Sequence, residues 1–153
     1  ANAGRLLDAF RRAGKPVIHI QHESVHPGAT FFLPGTSGMD IHASVEPQEG
    51  EPVLLKHFPN SFRETKLQQL LDEAGVRNVV ITGMMTCMCV DATTRAAFDM
   101  GYSCVVAHDA CAAPNLAFGD EPIPAAQVHG AFLAALGMVY AEIVDTGSLL
   151  ERI

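Results

Sequence analysis

The sequence predicts an α/β protein with three layers, in which helices cover both faces of a mostly parallel sheet. Short apolar segments, several of them rich in β-branched residues, alternate with amphipathic segments of helical period along the whole chain. Glycines follow several of the helical segments, as is typical of strand and helix units joined by short turns. Alternation of this kind produces right-handed crossovers between parallel strands, so we expect a doubly wound, Rossmann-like sheet.

The length and composition of the chain suit a single domain. It has 153 residues, of which 48% are hydrophobic. A chain of this size buries about 70% of its unfolded surface around one core, so we expect one domain over residues 1–153. The net charge of −7, with 18% charged residues, argues against binding to nucleic acid or to an anionic membrane, because both need clustered Lys and Arg.

The sequence carries no mark of a membrane protein or of a disulfide-rich secreted protein. No apolar run approaches the roughly 20 residues that span a bilayer, and no signal-peptide order of basic, apolar and small residues is present. Four cysteines are too few for a disulfide scaffold. We expect a cytoplasmic protein with a small-molecule substrate, and the high apolar content favours a homo-oligomer.

The first half of the chain is predicted to form two helices and two strands. The first helix is amphipathic, because Leu6, Leu7 and Phe10 share one face, and Gly14 ends it. Both strands are short apolar runs of the kind buried in parallel sheets. The predicted elements are a helix over Ala1 to Ala13, strands over Val17 to Ile20 and Val53 to Leu55, and a helix over Thr65 to Ala74. Residues 21–50 lack periodicity and predict a long loop, which in a compact domain is often functional.

The second half continues the alternation of strands and helices. Its first strand is β-branched, and small alanines in the helix that follows permit close packing. The predicted strands are Asn78 to Thr82, Ser103 to Ala107 and Tyr140 to Val144, and the predicted helices run from about Cys87 to Met100 and from about Ala125 to Leu136, with a last helical turn after them. The segment that holds Pro114, Gly119, Pro122 and Pro124 predicts a loop.

The beginning of the chain is unusual for this fold class. In a parallel sheet each helix connects two strands, but the first predicted helix has no strand before it. We therefore expect a further strand upstream of Ala1.

Polar side chains follow the predicted strands, where parallel sheets place their functional sites. The residues in this position are Gln21, His22, Lys56, His57, His108 and Asp109, together with the segment from Gly83 to Cys89. Thr86 as an N-cap would place Cys89 in the first turn of a helix, where free N–H groups and the helix dipole stabilise an anion. Lys56 ends another strand of the same sheet, and a nearby ammonium also stabilises a thiolate. Nucleophilic catalysis by Cys89 is therefore chemically reasonable.

Two longer motifs surround these residues. Gly83, Thr86, Cys89, Val90 and Thr93 follow the spacing G-x-x-T-x-x-C-V-x-x-T, and Ala97 and Gly101-Tyr102 come after them. This pattern resembles the signature of the isochorismatase-like cysteine hydrolases. The stretch KHFPNSF, which begins at Lys56, is similar to the lysine motif of that family. The loop from Pro34 to His42 is similar to a loop of its amidohydrolase members.

The resemblance implies a sheet of about six strands and a catalytic triad of aspartate, lysine and cysteine. It implies that Cys89 is the nucleophile and Lys56 the lysine. It also implies that the N–H groups of Met85 and Cys89 form the oxyanion hole and that the peptide bond between Met84 and Met85 is cis. The implied reaction is hydrolysis of a small amide or carbamoyl C–N bond through a thioester, without a cofactor.

The aspartate of the triad has no counterpart in the sequence. The family carries it at the end of its first strand, whereas Asp8 lies within the first predicted helix. We therefore expect the aspartate on the strand upstream of Ala1.

Other interpretations of these residues remain open. Cys89 could also be a buried thiol that only packs in the core. Alternatively, Cys87 and Cys89 could form a thiol pair with a redox or metal-binding role. A non-catalytic member that serves as an oligomeric scaffold or binding module is the alternative to an enzyme. For substrate contacts the candidates are His22, Phe58 and Met84.

A metal site is the remaining alternative. The residues His22, His26, Asp40 and His42 have ligand-like spacing, and nicotinamidases of this family bind a metal. The ligand order of those enzymes is not reproduced here. We therefore expect no metal, and we expect His26 and His42 to make hydrogen bonds within the loop.

Overall fold

The computed structural model describes residues 1–153 and has the alternating order of elements that the sequence predicts. The helices are α1 (Asn2–Arg12), α2 (Leu67–Glu73), α3 (Asp91–Asp99), α4 (Ala125–Val139) and α5 (Thr146–Leu150). The strands are β1 (His19–His22), β2 (Val53–Lys56), β3 (Asn78–Met84), β4 (Ser103–Ala112), β5 (Leu116–Phe118), β6 (Glu121–Ile123) and β7 (Glu142–Val144). No helix has the length and apolar character needed to cross a membrane.

Parallel pairing joins five of the strands in two groups, and this confirms the predicted fold class. β1 lies beside β2, with His19 opposite Val53 and His22 opposite Lys56. In the other group β4 lies between β3 and β7. No ladder of hydrogen bonds joins the two groups, so each of them keeps open strand edges.

The alternation of side chains along β4 defines the three layers. Successive residues of a strand point to opposite faces of the sheet. Cys104 packs with α2 and α3, and Val106 with α4, whereas Ala107 packs with α1 and α5. The helical residues in these contacts are Leu67, Leu71, Ala97, Leu133 and Leu136 on one face and Leu6 and Leu149 on the other. Both faces of the sheet are therefore covered.

β4 is longer than predicted. It continues past Ala107 to Ala112, because its pairing with β3 resumes after a bulge that brings Gly83 opposite Cys111. The prediction that Asp109 follows the strand is therefore wrong. Its carboxylate accepts hydrogen bonds from the N–H and hydroxyl of Thr146 and from the side chain of Asn2, so it holds the first turns of α5 and α1.

The segment predicted as a proline-rich loop contains an antiparallel hairpin. β5 pairs with β6, with Phe118 opposite Glu121. The two residues between them are Gly119 and Asp120, and Gly119 has a φ of 60°. A two-residue turn with a left-handed glycine is a recognised hairpin signal, so the sequence did contain the information for this element.

A half-buried carboxylate joins α1 to the starts of β1 and β2. Glu51 accepts hydrogen bonds from Arg11 Nε and Nη2, both at 2.7 Å, and from the N–H of Gln48 at 2.8 Å. His19 Nε2 lies 2.8 Å from the same carboxylate. The hydrogen bond from Arg11 holds the pKa of Glu51 well below its ordinary value of 4.5 and outweighs the opposite effect of burial.

We predict that Glu51→Gln makes the free energy of unfolding less dependent on pH in the acid range. Since the pKa of Glu51 is lowered by folding, its stabilising contribution is present above the ordinary value of 4.5 and is lost as the pH falls below it. Urea denaturation at a series of pH values measures this dependence. The control is Glu49→Gln, which changes an exposed carboxylate without an ion pair. Equal acid dependence of the wild type and the Glu51→Gln variant would contradict the prediction.

Candidate active site

The segment after β3 forms a tight turn that carries two of the cysteines. The peptide bond between Met84 and Met85 is cis, as predicted. A π-helical turn over Thr86–Val90 follows and continues directly into α3. The predicted single helix from Cys87 to Met100 is therefore two elements, with the wider turn at the cysteines. The Met85 N–H, which the oxyanion prediction names, has no backbone hydrogen-bond partner.

Lys56 is the most buried charged residue of the site, with an exposed fraction of 3%. Its Nζ lies 3.1 Å from Cys89 Sγ, 2.8 Å from the carbonyl oxygen of Phe58 and 3.1 Å from His22 Nδ1. An ammonium has three donors and no acceptor, so these three contacts use all of its hydrogen-bonding capacity. The two residues that the sequence predicts to converge do so.

No carboxylate balances the charge of Lys56. Neither Asp nor Glu lies within the 4.0 Å of an ion pair from its Nζ. Asp8, on α1, has a largely exposed side chain and lies 3.9 Å from Arg11 instead. The half-buried Cys89 sulfur is the one group in contact with the ammonium that could carry a negative charge.

His22 ends β1 directly beside Lys56 at the end of β2. Its pKa lies below the ordinary value of 6.5, first because burial disfavours the imidazolium and then because Lys56, His57 and His26 add positive charge nearby. His22 is therefore unprotonated at neutral pH. Because Lys56 can only donate, His22 Nδ1 accepts and its hydrogen lies on Nε2.

Thr86 does not cap the helix, contrary to prediction. The N-cap position belongs to Met85, and no side chain caps this turn. The Thr86 side chain is fully buried, and its hydroxyl lies 2.9 Å from His129 Nδ1 on α4. This contact anchors the cysteine turn to α4. No spacing in the sequence indicates it, because the two residues are far apart in the chain.

A second buried contact joins the lysine and cysteine motifs. The N–H of Ser61 donates to Thr93 Oγ1 at 3.0 Å, and the Thr93 hydroxyl donates to Ser61 Oγ at 2.9 Å. Both side chains are buried. The segment after β2 is thereby fixed against α3, and this explains why both motifs carry a hydroxyl at these positions.

The two cysteines of the turn lie in different surroundings. Cys87 is buried with an exposed fraction of 8%, whereas Cys89 is half-buried and hydrogen-bonded to Lys56. All four cysteines are free thiols. Burial raises the pKa of the Cys111 thiol, on β4, to about 11. Of the two cysteines in the turn, only Cys89 therefore has a sulfur in contact with a charged group, so the two thiols are not equivalent.

The other predicted contacts border the same turn. Met84, immediately before the cis bond, is 64% exposed. Phe58 is half-buried, and the Arg63 guanidinium lies 3.5 Å from the centre of its ring. Met84 thus ends the strand before the cysteine turn, and Phe58 lies two residues after Lys56, the last residue of β2.

The histidines of the long loop make local contacts. His26 Nδ1 lies 3.2 Å from the carbonyl oxygen of Pro27. His42 Nδ1 accepts from the N–H of Ser44 and caps the second 3-10 turn, Ala43–Val45. The prediction that both are loop hydrogen bonders is confirmed. No group of three or more His, Cys, Asp or Glu side chains has the arrangement of a metal site.

Comparison with known proteins agrees with this fold and site. Residues 1–135 match the family model of the isochorismatase domain. The chain is 49% identical over 150 residues to the isochorismatase family protein YddQ of Bacillus subtilis, which covers 98% of this chain and 83% of that protein. A crystal structure from Oleispira antarctica, assigned to the isochorismatase hydrolases, superposes with a TM-score of 0.93 at 51% identity, over 99% of this chain and 81% of the other. The chain therefore belongs to the isochorismatase family of hydrolases.

More distant relatives include enzymes that are named after their substrates. Streptothricin hydrolase of Streptomyces noursei is 38% identical over 138 residues, which are 86% of this chain and 48% of that protein. Nicotinamidase 3 of Arabidopsis thaliana is 29% identical over 155 residues, which are 94% of this chain and 73% of that protein.

We predict that Thr86→Val destabilises the protein by about 1–3 kcal/mol, because the half-buried imidazole of His129 loses the hydrogen bond to the buried hydroxyl. Urea denaturation measures the loss. Thr86→Ser keeps the hydroxyl and is expected to retain most of the stability. A Thr86→Val variant as stable as the wild type would show that the contact with His129 does not hold the turn.

Proposed function

We propose that this protein is a cysteine amidohydrolase that cleaves the C–N bond of a small amide or carbamoyl compound, with Cys89 as nucleophile. The observation that carries the proposal is the 3.1 Å contact between Lys56 Nζ and Cys89 Sγ in a site where the lysine is almost fully buried. A buried ammonium is costly unless an anion compensates it. Cys89 as a thiolate supplies that anion, and a thiolate is the reactive form of cysteine.

The turn that holds Cys89 also supplies donors for the reaction. The Met85 N–H is unpaired, and the first N–H groups of a helix lack partners within the helix. In our proposal the N–H groups of Met85 and Cys89 bind the oxygen of the scissile carbonyl. Donors placed where negative charge develops stabilise the transition state more than the substrate.

The proposed reaction has two steps. The Cys89 thiolate attacks the carbonyl carbon, a C–S bond forms, and the carbonyl oxygen becomes an oxyanion. When the oxyanion collapses, the C–N bond breaks and ammonia or an amine leaves with a proton from the general acid. Water then attacks the thioester, and the thiolate is released with the free acid.

The proton carrier in this mechanism is an aspartate outside residues 1–153. It removes the thiol proton before attack, donates it to the leaving amine and activates the water. We propose that it lies at the end of a further parallel strand that joins the two groups of strands. The open strand edges support this, because backbone N–H and C=O groups at such edges need partners.

The substrate class is supported by a relative whose name gives an amide substrate, the nicotinamidase, and by a second relative named as a hydrolase of a small molecule, streptothricin. We propose that His22, Phe58 and Met84 contact the substrate, with the free Nε2–H of His22 as a donor. The thiolate, the ammonium, the N–H groups and the proposed aspartate supply the nucleophile, the charge stabilisation and the proton transfer for this chemistry, so we propose no cofactor. Exposed apolar side chains, with Phe118 and Met138 each at 83%, support association with further copies of the chain.

We predict that Cys89→Ala lowers hydrolysis at least roughly a thousandfold, because the nucleophile is lost. Ammonia release from a panel of small amides measures it, with the protein bearing its natural amino terminus. The matched control is Cys87→Ala, two residues away, which should retain most of the activity. Comparable losses in both variants would contradict a single nucleophile and would favour the thiol pair.

We predict that the sequence encoded upstream of Ala1 supplies an apolar strand that ends in an aspartate. Its replacement by asparagine should abolish hydrolysis, because the thiol, the leaving amine and the attacking water all lose their proton carrier. An upstream sequence without an acidic residue, or full hydrolysis by the asparagine variant, would contradict the proposed proton carrier.

A further inference from the structure

His22 contacts the site through one ring nitrogen only. Its Nδ1 lies 3.1 Å from Lys56 Nζ, and Nε2 has no hydrogen-bond partner. The two residues end adjacent parallel strands in register, so the backbone holds their side chains side by side. The register of β1 and β2 therefore fixes the contact between His22 and Lys56.

The loop after β1 folds against the His22 ring. Phe32 packs edge-on against the His22 ring, with 5.6 Å between the ring centres. The Phe32 carbonyl accepts the N–H of the buried Ser24 at 2.8 Å, and Phe32 has a φ of 54°, a value that non-glycine residues seldom adopt. The loop thus folds back to place an aromatic ring on His22.

We propose that His22 is a positioning residue, whose unprotonated Nδ1 holds the Lys56 ammonium against Cys89 Sγ. This inference rests on the proposed function and adds a residue to it. Of the three acceptors around Lys56 Nζ, Phe58 offers a neutral carbonyl and Cys89 is the reacting group itself. His22 supplies the third, and without it one N–H of a buried ammonium is left unpaired. An unpaired buried donor disfavours the charged form, and the thiolate then loses its counter-ion.

The charged and titratable groups around His22 favour its neutral form. Lys56 lies in contact, and His57 and His26 add to the positive potential. Glu23, the acidic residue next to His22 in the sequence, directs its carboxylate to His57, with 3.7 Å between Glu23 Oε2 and His57 Nδ1. A proton on Nδ1 would replace the acceptor with a second donor that faces Lys56.

The test compares two substitutions of His22 that differ in one acceptor. In His22→Asn the amide oxygen takes the place of Nδ1, so an acceptor remains near Lys56. His22→Leu fills similar space without any acceptor. The control is His26→Leu, which removes an exposed imidazole that contacts only the Pro27 carbonyl. The measurement is the rate at which iodoacetamide labels Cys89, followed by peptide mass spectrometry across a range of pH, in the natural protein.

We expect His22→Leu to slow labelling of Cys89 at neutral pH by roughly tenfold or more, because one unpaired charged donor disfavours the ion pair by that order. Labelling by His22→Asn and His26→Leu should stay within a few-fold of the wild type. Circular dichroism shows whether each variant is folded.

The outcomes separate this inference from the proposed function. If Cys89 of the wild type is labelled no faster than the buried Cys87, the thiolate itself is refuted and the inference falls with it. If wild-type labelling is fast and His22→Leu has the same rate at every pH, the role of His22 is overturned while the nucleophile stands. Equal slowing in folded His22→Asn and His22→Leu would show that the ring acts through packing, which also overturns the inference.

Discussion

A buried lysine that contacts a cysteine sulfur is the interaction on which the site depends. Lys56 could reach the interior of the fold only if its charge met an opposite charge or a full set of acceptors. It has three acceptors, and one of them is Cys89 Sγ. No carboxylate of residues 1–153 lies within ion-pair distance of Lys56 Nζ, and Glu51 and Asp91 pair with Arg11 and Arg95 instead, so none of them competes with the sulfur for the ammonium.

The fold holds this pair in place from several directions. The parallel register brings His22 and Lys56 to the same edge of the sheet, and the cysteine turn begins where β3 ends. Hydroxyl contacts then fix that turn, through Thr86 to α4 and through Thr93 to the segment after β2. Each contact joins elements far apart in sequence, so the geometry of the sulfur and the ammonium depends on the whole fold and not on the turn alone.

The sequence predicts the parts of this arrangement that follow from local pattern. Apolar runs locate the strands, and glycines mark where the helices end. Because parallel sheets carry their sites at the carboxyl ends of the strands, the sequence also predicts that Lys56 and Cys89 lie close together. The contact between His22 and Lys56 needs the register of β1 against β2, and a long aperiodic loop separates these strands. The sequence predicts Thr86 as a local cap, whereas its hydroxyl contacts His129 on α4, a residue far away in the chain. The length of β4 depends on a bulge that no periodicity marks, whereas the Gly119-Asp120 turn of the hairpin has a local sequence signal.

The proposed chemistry depends on whether Cys89 Sγ is negatively charged. The ultraviolet absorbance of thiolates, titrated against pH as the difference between the wild type and Cys89→Ser, measures that charge without any substrate. We expect a thiolate signal from Cys89 already at neutral pH, and a smaller one when Lys56 is replaced by methionine. A signal that arises only in the alkaline range of an ordinary free thiol, about pH 8.5, and that is the same with and without Lys56, would contradict the account.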